Sequence, residues 1–364
     1  MKSYDLNLIQ KYIDDGLLEV QKHPTLPLKI YNYSREVSFE KKWDEITLAM
    51  RGTILDDTGT LITKGYDKFF NYEELQLSDI PTDSGYITVQ DKADGSLGIL
   101  FNYANEWILA TRGSFTSDQA IKGMEILKSK YDLSKFDKSI TYLSEIIYPE
   151  NQIVVNYDGE EKLVFTSCVR TLNGKEFDWE ESLKILFESG INSEDVVPYT
   201  NVSSGDIAAF ANELKSKNLN NKEGYVLRFY PSNFRMKIKF EDYCRLHRLM
   251  TNFSNVDIWE CLMKGDDITG YLDNVPDEFD DWVRNTIKEL QFKFDILKDE
   301  YEKEFWTLFD KKEFAMKIES NPNKHILFKR LNSVSKVYDE MIWKKIRPVY
   351  QKPFWQTKTN LEVE

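Results

Sequence analysis

Cysteine is scarce in this 364-residue chain: Cys168, Cys244 and Cys261 make an odd number and form no C-x-x-C pair. That excludes a disulfide framework and a thiolate zinc site, and it points to a reducing, cytoplasmic setting. Only three histidines occur, His23, His247 and His325, too scattered for a metal cluster or a Ser/His triad. No apolar run approaches the roughly 20 residues of a membrane span, so no membrane partner is expected. The opening MKSYDLNLIQKYIDDGLL is polar and interrupted and does not read as a secretory signal. The pattern G-x-x-x-x-G-K-[ST] is absent, which excludes a P-loop nucleotide site. Ten prolines and 16 glycines are too few for a collagen-like or low-complexity chain. An excess of positive charge is also missing. The net charge of −13 argues against indiscriminate coating of polyanions.

Hydrophobic residues make up 41 % of the chain, with 8 Trp, 20 Tyr and 22 Phe, enough for two cores. Up to about residue 243 the pattern is of short strands broken by turns, and period-2 alternation predicts seven. They are 86–90, 97–103, 106–112, 142–147, 162–170, 224–230 and 235–240, with Ala104–Asn105 as a hairpin tip. Helices are predicted at Ser117–Lys130 and Ile207–Lys217. Strands with interleaved helices suggest an α+β domain of antiparallel sheets. After Tyr243 the apolar spacing changes to threes and fours: Ile287, Leu290, Phe294, Leu297, Tyr301, Phe305 and Leu308, then Leu327, Leu331, Val334, Tyr338 and Met341. This predicts an all-α second domain. The expected division is 1–245 and 246–364.

Charge is unevenly spread over the second part. Asp257–Glu319 holds 18 acidic and 9 basic residues, whereas Ser320–Lys358 holds 9 basic and 2 acidic. The cationic segment also carries Tyr338, Trp343, Tyr350 and Trp355. It is either an RNA-docking face or the wet side of a helical bundle whose aromatics are core.

Chemistry concentrates at Lys92-Ala-Asp-Gly-Ser, a tight turn between two strands. Asp-Gly is an ordinary hairpin corner. A lysine fixed beside such a turn can also present its amine to a phosphate, and it becomes nucleophilic if neighbouring cations lower its pKa. Arg235-Met-Lys237-Ile-Lys239 places three cations on one face of a strand, either a solvated face or a phosphate cradle. Glu145 lies inside an otherwise apolar strand, where a carboxylate needs a partner or a cavity.

In order along the chain, these residues resemble the covalent nucleotidyltransferases, and within them the phage tRNA-repair RNA ligases, the RNA ligase 1 family. Lys92-Ala-Asp-Gly-Ser is similar to motif I. Tyr31-Asn-Tyr33, Arg51-Gly52 and Lys68-Phe-Phe-Asn71 precede it as in that family, and Thr111-Arg-Gly-Ser114 follows it. Glu145 through Asn151-Gln-Ile-Val-Val-Asn156-Tyr157 resembles motif III, Val169-Arg170 motif IIIa, and Glu223-Gly-Tyr-Val226 motif IV. Lys237-Ile-Lys239 with Tyr243 and Leu246-His247 resembles motif V. Arg112 departs from the lysine of the best-known member.

The resemblance implies a nucleotidyltransferase (ATP-grasp-like ligase) domain followed by a helical addition. It implies an ATP-dependent RNA ligase joining 5′-phosphate and 3′-hydroxyl ends through lysyl-AMP and RNA-adenylate, in RNA or tRNA repair. ATP and Mg2+, or Mn2+ in its place, are the implied cofactors. The implied partner is RNA such as a nicked anticodon loop, with a separate end-healing kinase/phosphatase. Lys92 is the implied nucleophile. Lys237 and Lys239 would neutralise the α-phosphate and depress the Lys92 pKa. Arg51 and Lys68 would meet the outer phosphates, Glu145 the ribose and Tyr31 the nucleotide. Glu223 would place the metal, with Asp266 or Asp267 as a further ligand. Two rivals remain: a DNA ligase or capping enzyme of the same superfamily, which the helical remainder argues against, and a degenerate RNA-binding relative, which would have lost these residues.

Overall fold

The structure, a computed structural model, describes residues 2–82, 85–203, 205–217, 219, 221–266, 268, 277–308, 314–332 and 335–351. The chain divides into two compact units, Met1–Cys244 and Arg245–Glu364.

In the first unit the strands are β1 (Leu18–Lys22), β2 (Leu28–Tyr33), β3 (Arg51–Asp56), β4 (Leu61–Thr63), β5 (Phe70–Asn71), β6 (Tyr86–Asp91) and β7 (Ser96–Tyr103). They continue as β8 (Glu106–Ala110), β9 (Ile140–Ile147), β10 (Lys162–Arg170), β11 (Tyr199–Ser203), β12 (Gly224–Tyr230) and β13 (Arg235–Lys239). Three sheets result, in the orders β1-β2-β3-β4, β10-β9-β7-β8 and β11-β6-β12-β13-β5. Their pairs are antiparallel except β13 with β5, which is parallel.

All seven strands expected from alternation are present, within two residues at either end. The hairpin tip takes positive φ at both Ala104 and Asn105, the turn whose twist suits paired strands. The predicted helices are Asp118–Lys130, capped by Ser117, and Ile207–Ser216, capped by Asp206.

The alternation of β13 decides what its sheet does. Met236 and Ile238 are fully buried against Ile87, Val89, Leu227 and Phe229, and helix Ile207–Ser216 adds Ala211 and Leu214 to that core. Arg235, Lys237 and Lys239 therefore point the other way, into a cavity. The middle sheet is covered by Ala120, Ile126 and Leu127 of helix Asp118–Lys130 and by Trp179 and Leu186 of helix Trp179–Glu188. Its partners Leu97, Glu145 and Val164 sit side by side across β7, β9 and β10.

In the second unit, helix Asp277–Leu308 buries Val283, Leu290, Phe294, Tyr301 and Phe305. Trp259 donates its indole N–H to the Trp343 carbonyl at 2.8 Å, and Phe294 stacks on Trp343 with ring centroids 4.5 Å apart. Helix Ser335–Lys345 ends just before Arg347-Pro348, as proline requires. The docking face expected of Ser320–Lys358 needs correction. Tyr338 and Trp343 are core residues, 2 % and 5 % exposed, so neither ring is offered to a base. Tyr350 is exposed; Val334, Trp355 and Lys358 lie outside the described residues. The two segments pair within the bundle instead: Arg330 of the basic one meets Glu302 of the acidic one, and in the opposite sense Lys298 meets Asp339 at 2.7 Å.

Candidate active site

Lys92 occupies the turn between β6 and β7, and the turn is built to hold it. The Lys92 N–H donates to the Gly224 carbonyl at 2.9 Å, which ties motif I to the start of β12. Gly224 has φ +146°, and a Cβ there would lie 2.0 Å from the Ile238 carbonyl oxygen, so only glycine lets β13 approach. The backbone preceding it is what presents Glu223. Gly95 answers a similar need, since a Cβ would come within 2.7 Å of the Ile146 carbonyl. Asp94 between them is 4 % exposed and fully occupied. Its carboxylate accepts from the N–H of Val154 and Val155 and from the Tyr243 hydroxyl at 2.8 Å. One buried aspartate thus joins the turn, the later part of the stretch that resembles motif III and the end of motif V.

A cavity of about 140 Å3 opens between the middle sheet and the inner face of β6, β12 and β13. Arg51, Lys92, Glu145, Lys237 and Lys239 all line it. Lys92 Nζ lies 2.6 Å from Glu223 Oε2, and Lys239 Nζ lies 2.7 Å from Glu223 Oε1. Glu223 is 2 % exposed, and each of its oxygens has an ammonium. Burial alone would raise its carboxyl pKa, but the two lysines outweigh burial and hold it below the ordinary range.

The electrostatics correct one expectation. Burial lowers the Lys92 pKa, yet Glu223 and Glu145 more than offset it, and Lys92 stands above its ordinary value. Its nearest charges are carboxylates, not the lysines of β13. The amine that is depressed is Lys237, to about 7, by burial first and then by Lys68, Lys92, Lys239 and Arg51. Glu145 is pushed up to about 7, chiefly by burial and then by Glu223, against the pull of Lys92 and Arg51. Nη1 of Arg51 is buried without an acceptor among the described residues. A cationic cavity with an orphaned guanidinium N–H is suited to an anion. Phe69 supplies one wall, its ring 5.9, 5.7 and 5.7 Å from the charged ends of Arg51, Arg235 and Lys237.

Three expected residues stand elsewhere. Tyr31 is not brought to the cavity: its ring is 3 % exposed in the core of the N-terminal sheet with Ile9, Leu18 and Leu55. Both faces of β2 are packed: Leu28 and Ile30 meet Phe101 and Ala110, and Tyr31 falls in the other core. Lys68 does not line the cavity; its Nζ lies over Trp43 and Phe70, at 5.1 and 4.9 Å, close enough to act on Lys237. Asp266 is an exposed residue of the second unit, just past helix Asn255–Lys264, and no cluster of three metal-ligating side chains occurs among the described residues. Asp267 lies outside the described residues.

Other residues were not foreseen. Gln90 lines the cavity and donates to the Thr166 carbonyl at 3.2 Å; its only signal was a polar residue on the inner face of an apolar strand. Glu176 gave none, since it sits in a polar turn. It is nonetheless buried, and it holds Arg235 at 2.6 Å and Arg228 at 3.0 Å.

Residues 49–243 match the RNA ligase family model, more than half of the chain, and the chain belongs to that family. Curated relatives agree. The "RNA ligase" of Rhodothermus phage RM378 is 24 % identical over 366 residues, covering 81 % of this chain and 79 % of its own. The "Putative RNA ligase" of Thermovibrio ammonificans is 28 % identical over 218 residues, 57 % of this chain and 55 % of that one. A third, the "Putative bifunctional polynucleotide kinase/RNA ligase" of Autographa californica nuclear polyhedrosis virus, is 25 % identical over 195 residues, 46 % of this chain. The chain spans only 28 % of that viral protein.

Proposed function

We propose that this protein is an ATP-dependent RNA ligase that seals 5′-phosphate to 3′-hydroxyl ends through lysyl-AMP and RNA-adenylate. The observation that carries the reading is the Lys92–Glu223–Lys239 chain of charges on the wall of a cationic cavity that has an unpartnered arginine N–H. Lys92, partly buried at a fixed turn, is the nucleophile. Its Nζ bonds to the α-phosphorus of ATP and the bond to pyrophosphate breaks; from the resting ammonium two protons leave, one to free the lone pair and one as the N–P bond forms.

Those two protons have to go somewhere. Lys92 is protonated at rest, and its direct acceptor, Glu223, is a weak base. Glu145 and Lys237 both titrate at about 7, so near neutral pH each can take up one proton at modest cost. Lys239 and Arg51 are left to neutralise the phosphates, where one well-placed contact is worth on the order of 3 kcal/mol. Mg2+ binds hard oxygen ligands and keeps several waters, so one or two carboxylates suffice beside substrate phosphates. Glu145, which lines the cavity and whose carboxylate accepts no hydrogen bond among the described residues, is the carboxylate that fits; both oxygens of Glu223 are already held by Lys92 and Lys239. A bound divalent ion would there add charge neutralisation at the triphosphate.

The natural substrate is read as broken RNA, with a nicked tRNA anticodon loop as the candidate and a separate kinase/phosphatase preparing its ends. The test is incubation with α-labelled ATP and a divalent cation. Acid-stable label on the protein that chases onto 5′-phosphorylated RNA supports the reading. Lys92→Ala should take up no label, yet seal a pre-adenylated RNA to some degree. Full labelling of Lys92→Ala sinks the assignment.

A further inference from the structure

A second, larger opening of about 610 Å3 lies beside the N-terminal sheet. It is lined by Arg35, Phe39, Asn32, Tyr33 and Arg112, with Glu19 as its one carboxylate. Phe39 is 90 % exposed on the short helix Arg35–Glu40, an aromatic ring that packs on nothing in the fold. Neither Arg35 nor Arg112 has an ion-pair partner among the described residues. Arg112 instead lies 5.5 Å above the Tyr33 ring, its Nη1 donating at 3.5 Å to the Tyr33 hydroxyl. The opening adjoins the nucleotide cavity: Asn32, which lines the opening, is the register partner on β2 of Arg51 on β3, which lines that cavity.

We infer that this groove holds the first nucleotides of the 5′-phosphorylated RNA strand, with Phe39 stacking a base and Arg35 holding a backbone phosphate. The inference rests on the ligase reading and adds to it a surface for the second substrate. Its chemical basis is the in-line geometry of phosphoryl transfer. In the second step an oxygen of the RNA 5′-phosphate forms a bond to the phosphorus of AMP. The N–P bond to Lys92 breaks, and the departing nitrogen takes up two protons, one to leave as the amine and one to become the resting ammonium again. The attacking oxygen must arrive on the side of phosphorus away from Lys92, where pyrophosphate left. Arg51, with its orphaned Nη1, is the cation that bounds the cavity towards the groove, so RNA entering there reaches the phosphorus past Arg51. An exposed ring with cations beside it is the combination that binds single strands without reading sequence.

Phe39 and Arg35 are both exposed and lie outside the nucleotide cavity, so Phe39→Ala and Arg35→Ala should fold and should self-adenylate at the wild-type rate. Transfer of AMP from the labelled protein to a 5′-phosphorylated oligoribonucleotide is measured in a single turnover over a range of RNA concentrations. Phe39→Ala should raise the half-saturating RNA concentration by about tenfold, the loss of one base–aromatic stack. Arg35→Ala should flatten the slope of log K against log salt by about 0.7, one phosphate contact to a single strand. Unchanged RNA saturation in both variants overturns the groove. So does an equal fall in self-adenylation, which would make it part of the ATP site. If the wild-type protein takes up no label at all, it is the underlying ligase reading that fails.

Discussion

Arg235, Lys237 and Lys239 share one face of β13 within five residues, and alanine at each should fail in a different way. Arg235 is locked to Glu176 at 2.6 and 3.1 Å, and Glu176 also holds Arg228. Both partners of this ion pair are 9 % exposed. Arg235→Ala strands part of a buried carboxylate's charge, and breaking such a pair costs about 3–5 kcal/mol. For a unit of this size each kcal/mol moves Tm by about 2–4 °C, so its Tm should fall by roughly 6–20 °C. Lys237 has the opposite sign. Its folded pKa, about 7, is depressed from 10.5, so the folded state is penalised wherever the unfolded lysine is charged. That penalty is full below pH 7 and is relieved as pH rises towards 10.5. Lys237→Ala should therefore leave Tm level or higher at pH 6, while self-adenylation falls by about a hundredfold or more. Lys239→Ala should lose catalysis comparably and also weaken the hold on Glu223. The assay is thermal unfolding at pH 6 and pH 9, with adenylation measured well below every midpoint. If Arg235→Ala keeps its Tm but loses adenylation as Lys239→Ala does, the division of labour is wrong.

Other expectations follow from the same charges. Since Lys92 is protonated at rest, the second-order rate of self-adenylation should climb with pH from 7 towards 9; a flat or falling profile contradicts the raised pKa. Glu145 has its pKa raised to about 7 by burial, so its charged form disfavours folding above that pH. Glu145→Gln should then stabilise the protein at pH 8.5 by up to about 3 kcal/mol and lose that advantage below pH 5, which denaturant unfolding at the two pH values checks. Asp94→Asn keeps the shape but weakens three hydrogen bonds at the turn; it should lower both Tm and adenylation. A shortened chain ending near residue 250, if soluble, should still form lysyl-AMP, because the cavity is built within Met1–Cys244. Absence of label from that folded chain would tie the second unit to the chemistry.

Alternation and turn chemistry made the middle and third sheets legible, down to the Ala104–Asn105 tip. The N-terminal sheet was not legible, because β1 is mostly exposed and β4 is too short to show a period; at the edges of the third sheet the short β5 and the mostly exposed β11 escaped for the same reasons. The cation face of β13 could be read from its period, but the partners of each cation could not. Glu176 and Arg235 are far apart in sequence, and only the folded chain brings them together. The same holds for Lys92: the sequence displayed the nearby lysines, whereas the sign of its pKa shift was set by Glu223, 131 residues away. Tyr31 shows the converse, a motif residue whose place in the order of motifs did not say which way its ring points.

The carboxylate between two lysines bears on the energetics of the intermediate as well as on its formation. A lysine nitrogen bonded to phosphorus is no longer an ammonium, so charging Lys92 removes one of the two positive charges that steady Glu223. What remains is a carboxylate sealed from water with a single counter-ion, a state that buried ion pairs resist strongly. Handing the AMP onward restores the ammonium and the pair together. On the proposed reading the protein would thus pull on its own adenylate like a drawn spring, and the intermediate would stay reactive instead of becoming the place where the cycle stops.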